Sequence, residues 1–100
     1  MIDLARIVGF QWDAGNARKS VEKHGVTQGE AEQVFFNAPL LLLADEKHSL
    51  TEARFHALGQ TSDGRRLHIT FTLRDQERLI RVISARDMHQ TERTRYEQDP

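Results

Sequence analysis

The nine residues Arg66–Arg74 alternate without a break: Leu67, Ile69, Phe71 and Leu73 are apolar, whereas Arg66, His68, Thr70, Thr72 and Arg74 are polar. Successive side chains of a strand point to opposite faces, so this stretch specifies a β-strand with one buried and one polar face. Its neighbours follow from the turn residues around it. The Asp-Gly pair of Ser62–Asp63–Gly64–Arg65 favours a tight hairpin turn, because both residues tolerate positive φ. Asp75–Arg78 makes the next turn. Ala53–Gly59 is read as the preceding strand and Leu79–Ala85 as the following one, apolar on both faces and therefore central. Leu40–Ala44 is a further strand, separated from Ala53–Gly59 by the polar loop Asp45–Thr51.

Upstream the spacing is helical. Ile7–Trp12 reads as a short first strand with Val8, Phe10 and Trp12 on one side. Asp13 then serves as N-cap of a helix that buries Ala14, Ala17, Val21 and His24, exposes Arg18, Lys19, Glu22 and Lys23, and ends at a left-handed Gly25. Thr27–Gln28–Gly29–Glu30 matches a capping box, so a second helix runs from about Gln28 to Phe35, burying Ala31, Val34 and Phe35 before Asn37–Ala38–Pro39 stops it. Asp87 is placed as cap of a terminal helix carrying Met88, Glu92 and Tyr96, with Gln90 completing a partial capping box. The predicted fold class is α+β in the order β-α-α-β-β-β-β-α, a small antiparallel meander with helices on one face.

One hundred residues suit a single domain, spanning residues 1–100. The absence of cysteine removes disulfides, thiolate metal sites and thiolate catalysis. The longest apolar run, Pro39–Ala44, is far short of the roughly 20 residues needed to cross a bilayer, so no membrane role is expected and a cytoplasmic setting is the default. A formal net charge of -1 removes the global footprint of a DNA-binding protein and leaves any nucleic-acid contact to a local basic patch.

The polar side of the sheet supplies such a patch. Arg66, His68 and Arg74 share a strand face, with Arg54 and Arg81 on neighbouring strands; planar guanidinium forks bind phosphate oxygens and stay charged at any working pH. The plain alternative is a solvated sheet face. Lys23–His24 at the end of the first helix pairs a phosphate-binding cation with a group that titrates near neutrality, although His24 suits equally well a helix C-terminus. Asp45, Glu46, His48, Glu52 and His56 offer metal ligands at spacings that match neither a zinc nor a calcium pattern, so no metal and no cofactor is expected. Ser84 lacks a nucleophile-elbow motif. Most aromatics fall on core positions; Tyr96, beside Arg93 and Arg95, is the one read as exposed and able to stack on a base.

Taken in order, Phe10–Gln11–Trp12–Asp13, Lys23–His24–Gly25–Val26, Glu30–Ala31, Val34–Phe35, Glu52–Ala53–Arg54, Gly59, Gly64–Arg65, Ile80–Arg81–Val82–Ile83–Ser84–Ala85–Arg86, Glu92 and Tyr96 resemble the BrnT family of type II toxins. The resemblance implies a RelE-like endoribonuclease, a BrnA-type antitoxin that neutralises it, operator DNA bound only through the antitoxin complex, and a homodimer or heterotetramer as the assembly. Its polar positions are Lys23, His24, Glu52, Arg54, Arg81 and Arg86. Similar proteins usually carry lysine at position 16, asparagine at 20 and phenylalanine at 28, where this chain has Asn16, Ser20 and Gln28.

The expected chemistry is metal-independent RNA cleavage by the neighbouring 2′-hydroxyl. In it His24 or Glu52 moves protons, Arg54, Arg81 and Arg86 hold the phosphate, and Lys23, Arg66 and His68 assist in binding RNA. The rival reading is a catalytically inactive module that only binds an antitoxin-like partner, for which Asn16 and the near-neutral charge speak.

Overall fold

The computed structural model describes residues 2–48 and 51–98; positions 49 and 50 of the expected Asp45–Thr51 loop lie outside them. Arg66–Arg74 forms the middle strand of a five-stranded sheet. In chain order the elements are β1 (Gly9–Phe10), α1 (Lys19–His24), α2 (Gln28–Val34), β2 (Leu41–Asp45), β3 (Arg54–Gln60), β4 (Arg66–Arg74), β5 (Leu79–Asp87) and α3 (Gln90–Gln98). The strand order is β1-β5-β4-β3-β2. The expected antiparallel meander runs from β2 to β5, and β1 adds to it in parallel through Gly9↔Leu79 and Phe10↔Ile80. The α+β class and element order are those predicted.

One sheet face carries the core. Leu67, Ile69, Phe71, Ala57, Ile80, Val82 and Ala85 are buried against Val26 and against Ala31 and Val34 of α2. The helix is held at its start by the predicted capping box, with the Glu30 N–H donating to Thr27 Oγ1 and the Thr27 N–H to Glu30 Oε1, both at 3.0 Å. It lies so close to β3 that a Cβ on Gly59 would come within 2.6 Å of Val34 Cγ1. Phe35 bridges Phe10 and Phe71 at centroid distances of 5.7 and 5.1 Å, tying the N-terminal segment to the sheet.

The helices do not all share that face. Met88 and Tyr96 close one end of the opposite face over Leu58 and Leu41, forming a separate small core. Tyr96, expected to be exposed, is 4% accessible and its hydroxyl donates to the Pro39 carbonyl at 2.6 Å. The terminal helix also begins later than expected: Asp87 ends β5 and takes Arg65, while Glu92 accepts from the His89 N–H at 2.8 Å in the reaching-back role assigned to Gln90.

The largest departure is at the first helix. Asp13 organises a turn, accepting from the Gly15 N–H at its side chain and from the Asn16 and Ala17 N–H groups at its carbonyl, and regular helix starts only at Lys19. Val21 is 44% exposed, and Val8 on the shortened first strand is 75% exposed. Asn16 and Ser20, which were not among the helix positions read as buried, are buried. The reason is hydrogen bonding: β1 ends at Phe10, so β5 beyond Ile80 has no strand on that side, and buried backbone groups need partners. Asn16 Nδ2 donates to the Val82 carbonyl at 2.8 Å and to the Gln11 carbonyl at 3.0 Å, and Ser20 Oγ accepts from the Ala85 N–H at 2.8 Å. Satisfying that edge turns the apolar positions of α1 outward.

Ser20→Ala should therefore cost about 1–3 kcal/mol, the penalty of an unsatisfied buried donor. Val21→Ala on the outward side should stay within about 0.5 kcal/mol of the parent. Urea unfolding of both variants checks the contrast, and equal stability of the two would refute this account of α1.

Candidate functional site

Register aligns the polar face into rows. Asp45, Arg54, Thr72 and Arg81 lie across β2–β3–β4–β5; Leu43, His56, Thr70 and Ser84 form the next row; Leu41, Leu58, His68 and Arg86 the third. Arg81 and Arg86 are five positions apart and would face opposite sides of a regular strand. A bulge reverses this: Thr70 pairs with Ser84 but Phe71 with Val82, so Ile83 is the extra residue and both arginines emerge on the polar side.

Two of the clefts on this face share Arg54 and Ile83 as a common wall. The larger, about 500 Å³, is lined by Asp45, His48, His56, His68, Arg86 and Glu92 among others; pockets that hold small ligands run roughly 300–1,000 Å³. The smaller holds Asn16, Lys19, Glu52, Arg74 and Arg81. Arg54, Arg81 and Arg86 thus border one continuous surface, together with Glu52 and His68.

The arginines are not a bare cationic cluster, as the sequence had suggested. Arg81 grips Asp13 with both terminal nitrogens at 2.8 and 3.0 Å and also donates to Gln11 Oε1 at 3.0 Å. Arg86 grips Glu92 at 2.8 and 2.9 Å, and Arg74 takes Glu52 at 3.1 Å. The first two pairs are bidentate, the strong kind, and the third is a single contact. The Arg81 hydrogen bonds, followed by the Gly15 N–H, hold the Asp13 carboxyl below its ordinary range. Burial pushes Glu92 up, but Arg86, the His89 N–H and the neighbouring charges more than offset it and bring the carboxyl down to about 2.

A histidine cluster forms the floor and rim of the larger cleft. Asp45 stands between two imidazoles, with His48 Nδ1 at 3.1 Å and His56 Nε2 at 3.0 Å from its Oδ2. His56 Nδ1 meets Thr70 Oγ1 at 3.1 Å, and the rings of His56 and His68 lie 4.7 Å apart. Burial, followed by the Arg86 charge, lowers His68 to about 4, so this ring is neutral at pH 7. Sequence reasoning weighed Asp45, His48 and His56 only as metal ligands and set them aside on spacing. The signal that unites them is the β2–β3 register, Asp45↔Arg54 and Leu43↔His56, which places Asp45 and His56 on one face. Among the described residues no group of three or more His, Asp or Glu is arranged to hold a metal ion.

The other sequence candidates sit elsewhere. Lys23 and His24 are exposed at the end of α1 and line neither cleft. The His24 carbonyl accepts from Arg65, which also binds Asp87, Glu30 and the Gly25 carbonyl and so acts as a structural clamp. Arg66 pairs with Glu97 of α3.

Acid should unfold the protein in two overlapping stages. The unfolded chain binds a proton on His68 near its ordinary 6.5, whereas the folded chain does so only near 4, so stability is lost as pH falls through that window. Glu92 extends the loss from its ordinary 4.5 down to about 2. Urea unfolding at stepped pH should show His68→Gln flattening the first stage and Glu92→Gln the second; unchanged slopes would contradict the assignment.

A search of curated proteins found no match. A family model described as ribonuclease toxin, BrnT, of type II toxin-antitoxin system matches residues 12–92, a span that contains both clefts' arginines and the strands that carry them. Such membership implies a cognate antitoxin as partner, and among the described residues no helix is long and apolar enough to cross a membrane. On that match the chain belongs to the BrnT family of ribonuclease toxins of type II toxin–antitoxin systems.

Proposed function

We propose that the chain is an endoribonuclease that cleaves RNA without a metal ion, by attack of a 2′-hydroxyl on the adjacent phosphate, and that a BrnA-like antitoxin neutralises it. The observation that carries this reading is the bulge in β5, which sets Arg81 and Arg86 on the same polar face as Arg54. Charge accumulates on the phosphate oxygens in the transition state, and fixed guanidinium groups aimed at them stabilise that charge. Neutral His68 adds a hydrogen-bond donor on the floor of the larger cleft. Of the sequence candidates for proton transfer, Glu52 borders a cleft, and His24 with Lys23 lies beyond both, where contacts with a flanking stretch of RNA are the reachable role. Arg66, beside α3, serves the same flanking function. Binding of operator DNA belongs to the antitoxin complex, consistent with a net charge of -1 on this chain; a heterotetramer or homodimer is the assembly proposed.

A second reading rests on the ion pairs themselves. Arg81 and Arg86 are both occupied by carboxylates, as in a face that has become a partner-binding surface without catalysis.

In excess EDTA, micromolar protein should cut single-stranded RNA to 2′,3′-cyclic phosphate and 5′-hydroxyl ends, and leave DNA of the same sequence intact. Arg54→Ala should lower kcat/KM by about 10²–10³-fold, the usual loss of one charge-stabilising donor. Intact RNA under these conditions, with an antitoxin-like partner still bound, would favour the inactive module.

A further inference from the structure

Asp45 is 9% accessible at its side chain, whereas His48, which it holds, is 61% accessible. His48 is tied to Asp45 through both backbone and ring. Its backbone N–H donates to Asp45 Oδ1 at 3.2 Å, folding the 3-10 turn Glu46–His48 back onto the end of β2, and its Nδ1 lies 3.1 Å from Asp45 Oδ2. A carboxylate on Nδ1 selects the tautomer with the proton there and leaves the Nε2 lone pair pointing away from it. His48 lines the larger cleft with Arg54 and Arg86.

We infer that His48 is the general base of the cleft, accepting the 2′-hydroxyl proton at Nε2, and that Asp45 is its positioning residue. The inference rests on the ribonuclease reading above. The competing groups are each committed elsewhere. His56 has both ring nitrogens engaged, by Asp45 and Thr70. His68 is mostly buried, and one Glu52 carboxylate oxygen is taken by Arg74 at 3.1 Å. His24 lines neither cleft. A base must lie within hydrogen-bond reach of the proton it takes, and His48 lines the same cleft as Arg54 and Arg86, where a phosphate held by those two would sit. The charged and titratable groups that line the cleft with it are Asp45 of β2, Arg54 and His56 of β3, His68 of β4, Arg86 of β5 and Glu92 of α3, and Glu46 and Lys47 share its turn.

The step balances within this set and water. The 2′-O–H bond breaks as its proton passes to Nε2, the 2′-oxygen bonds to phosphorus, and the bond from phosphorus to the 5′-oxygen breaks. The leaving oxygen takes a proton from water, and His48 returns its own to solvent, leaving a 2′,3′-cyclic phosphate and a 5′-hydroxyl.

The test compares wild type, His48→Gln, His48→Ala and Arg54→Ala on a single-stranded oligoribonucleotide in EDTA, with far-UV circular dichroism to confirm folding. His48→Gln should lose about 10²–10⁴-fold in kcat, the usual contribution of proton transfer, with KM little changed. The rise of kcat with pH on the acid side should disappear in this variant, and imidazole added to His48→Ala should restore part of the rate. Wild-type rates and an unchanged pH profile in His48→Gln, with Arg54→Ala inactive, would overturn the role of His48 and leave the ribonuclease reading standing. RNA left intact by wild type would overturn both.

Discussion

A single extra residue in β5 decides what each face of the sheet is made of. On the near side of Ile83 the inward positions are Ile80 and Val82; on the far side the next inward position is Ala85, three residues on rather than two. Without the bulge, keeping Ile80 and Val82 in the core would drive Ser84 and Arg86 inward and leave Ala85 outside, and burying an unpaired guanidinium costs far more than a lost methyl group. The same bulge brings Arg86 to the side of Arg81 and Arg54. The core and the polar cleft are therefore two consequences of one backbone irregularity, and neither can be moved without the other. Bulges of this kind commonly re-aim side chains beside functional sites.

The bulged strand needs its outer edge satisfied, and this explains the N-terminal third of the chain. β1 pairs with β5 over only two residues. From Val82 to Ala85 the work passes to Asn16 and Ser20, four positions apart and so on one side of the chain as it winds into α1. Asn16 meets three backbone groups at once, since its Oδ1 also accepts from the Asp13 N–H at 2.8 Å. It acts here as a backbone partner, and a missing cation at position 16 says little about phosphate binding.

How much of this could be read beforehand follows from the range over which each signal acts. The alternation of Arg66–Arg74, the Asp-Gly turn with Gly64 at φ 86° and the Thr27–Glu30 capping box are local, and all appear in the structure. Hydrophobic spacing failed at α1 because a long-range need, the unpaired edge of β5, outweighed the burial of Val21. It failed at Tyr96 because the covering partner, Pro39, lies 57 positions away. In the candidate site strand parity placed Arg66 and Arg74 on the polar face, and resemblance added Arg86, but the bulge that brings Arg86 to the side of Arg81 has no sequence signal. Nor were the arginines' carboxylate partners legible, since Asp13–Arg81 spans 68 positions and nothing near either residue announces the other. The Asp45–His48 pair is local, but spacing rules for metals hid it.

The matched carboxylates change how an anion is received. Asp13 is 55% exposed at its side chain and Glu92 only 22%, so the two arginine clamps are not equivalent. Releasing Asp13 returns an already half-exposed carboxylate to water, and a phosphate meeting Arg81 would replace one ion pair of that guanidinium with another. Releasing Glu92 would strand a more buried charge, and Glu92 also holds the His89 N–H at the start of α3. Arg86 is thus the fixed donor of the pair and Arg81 the adaptable one. With both occupied in the free protein, the cleft has little long-range pull on nucleic acid, in keeping with the chain's net charge of -1. On the ribonuclease reading proposed above, selection of RNA then falls to contact geometry within the cleft, where a 2′-hydroxyl would be brought to an imidazole.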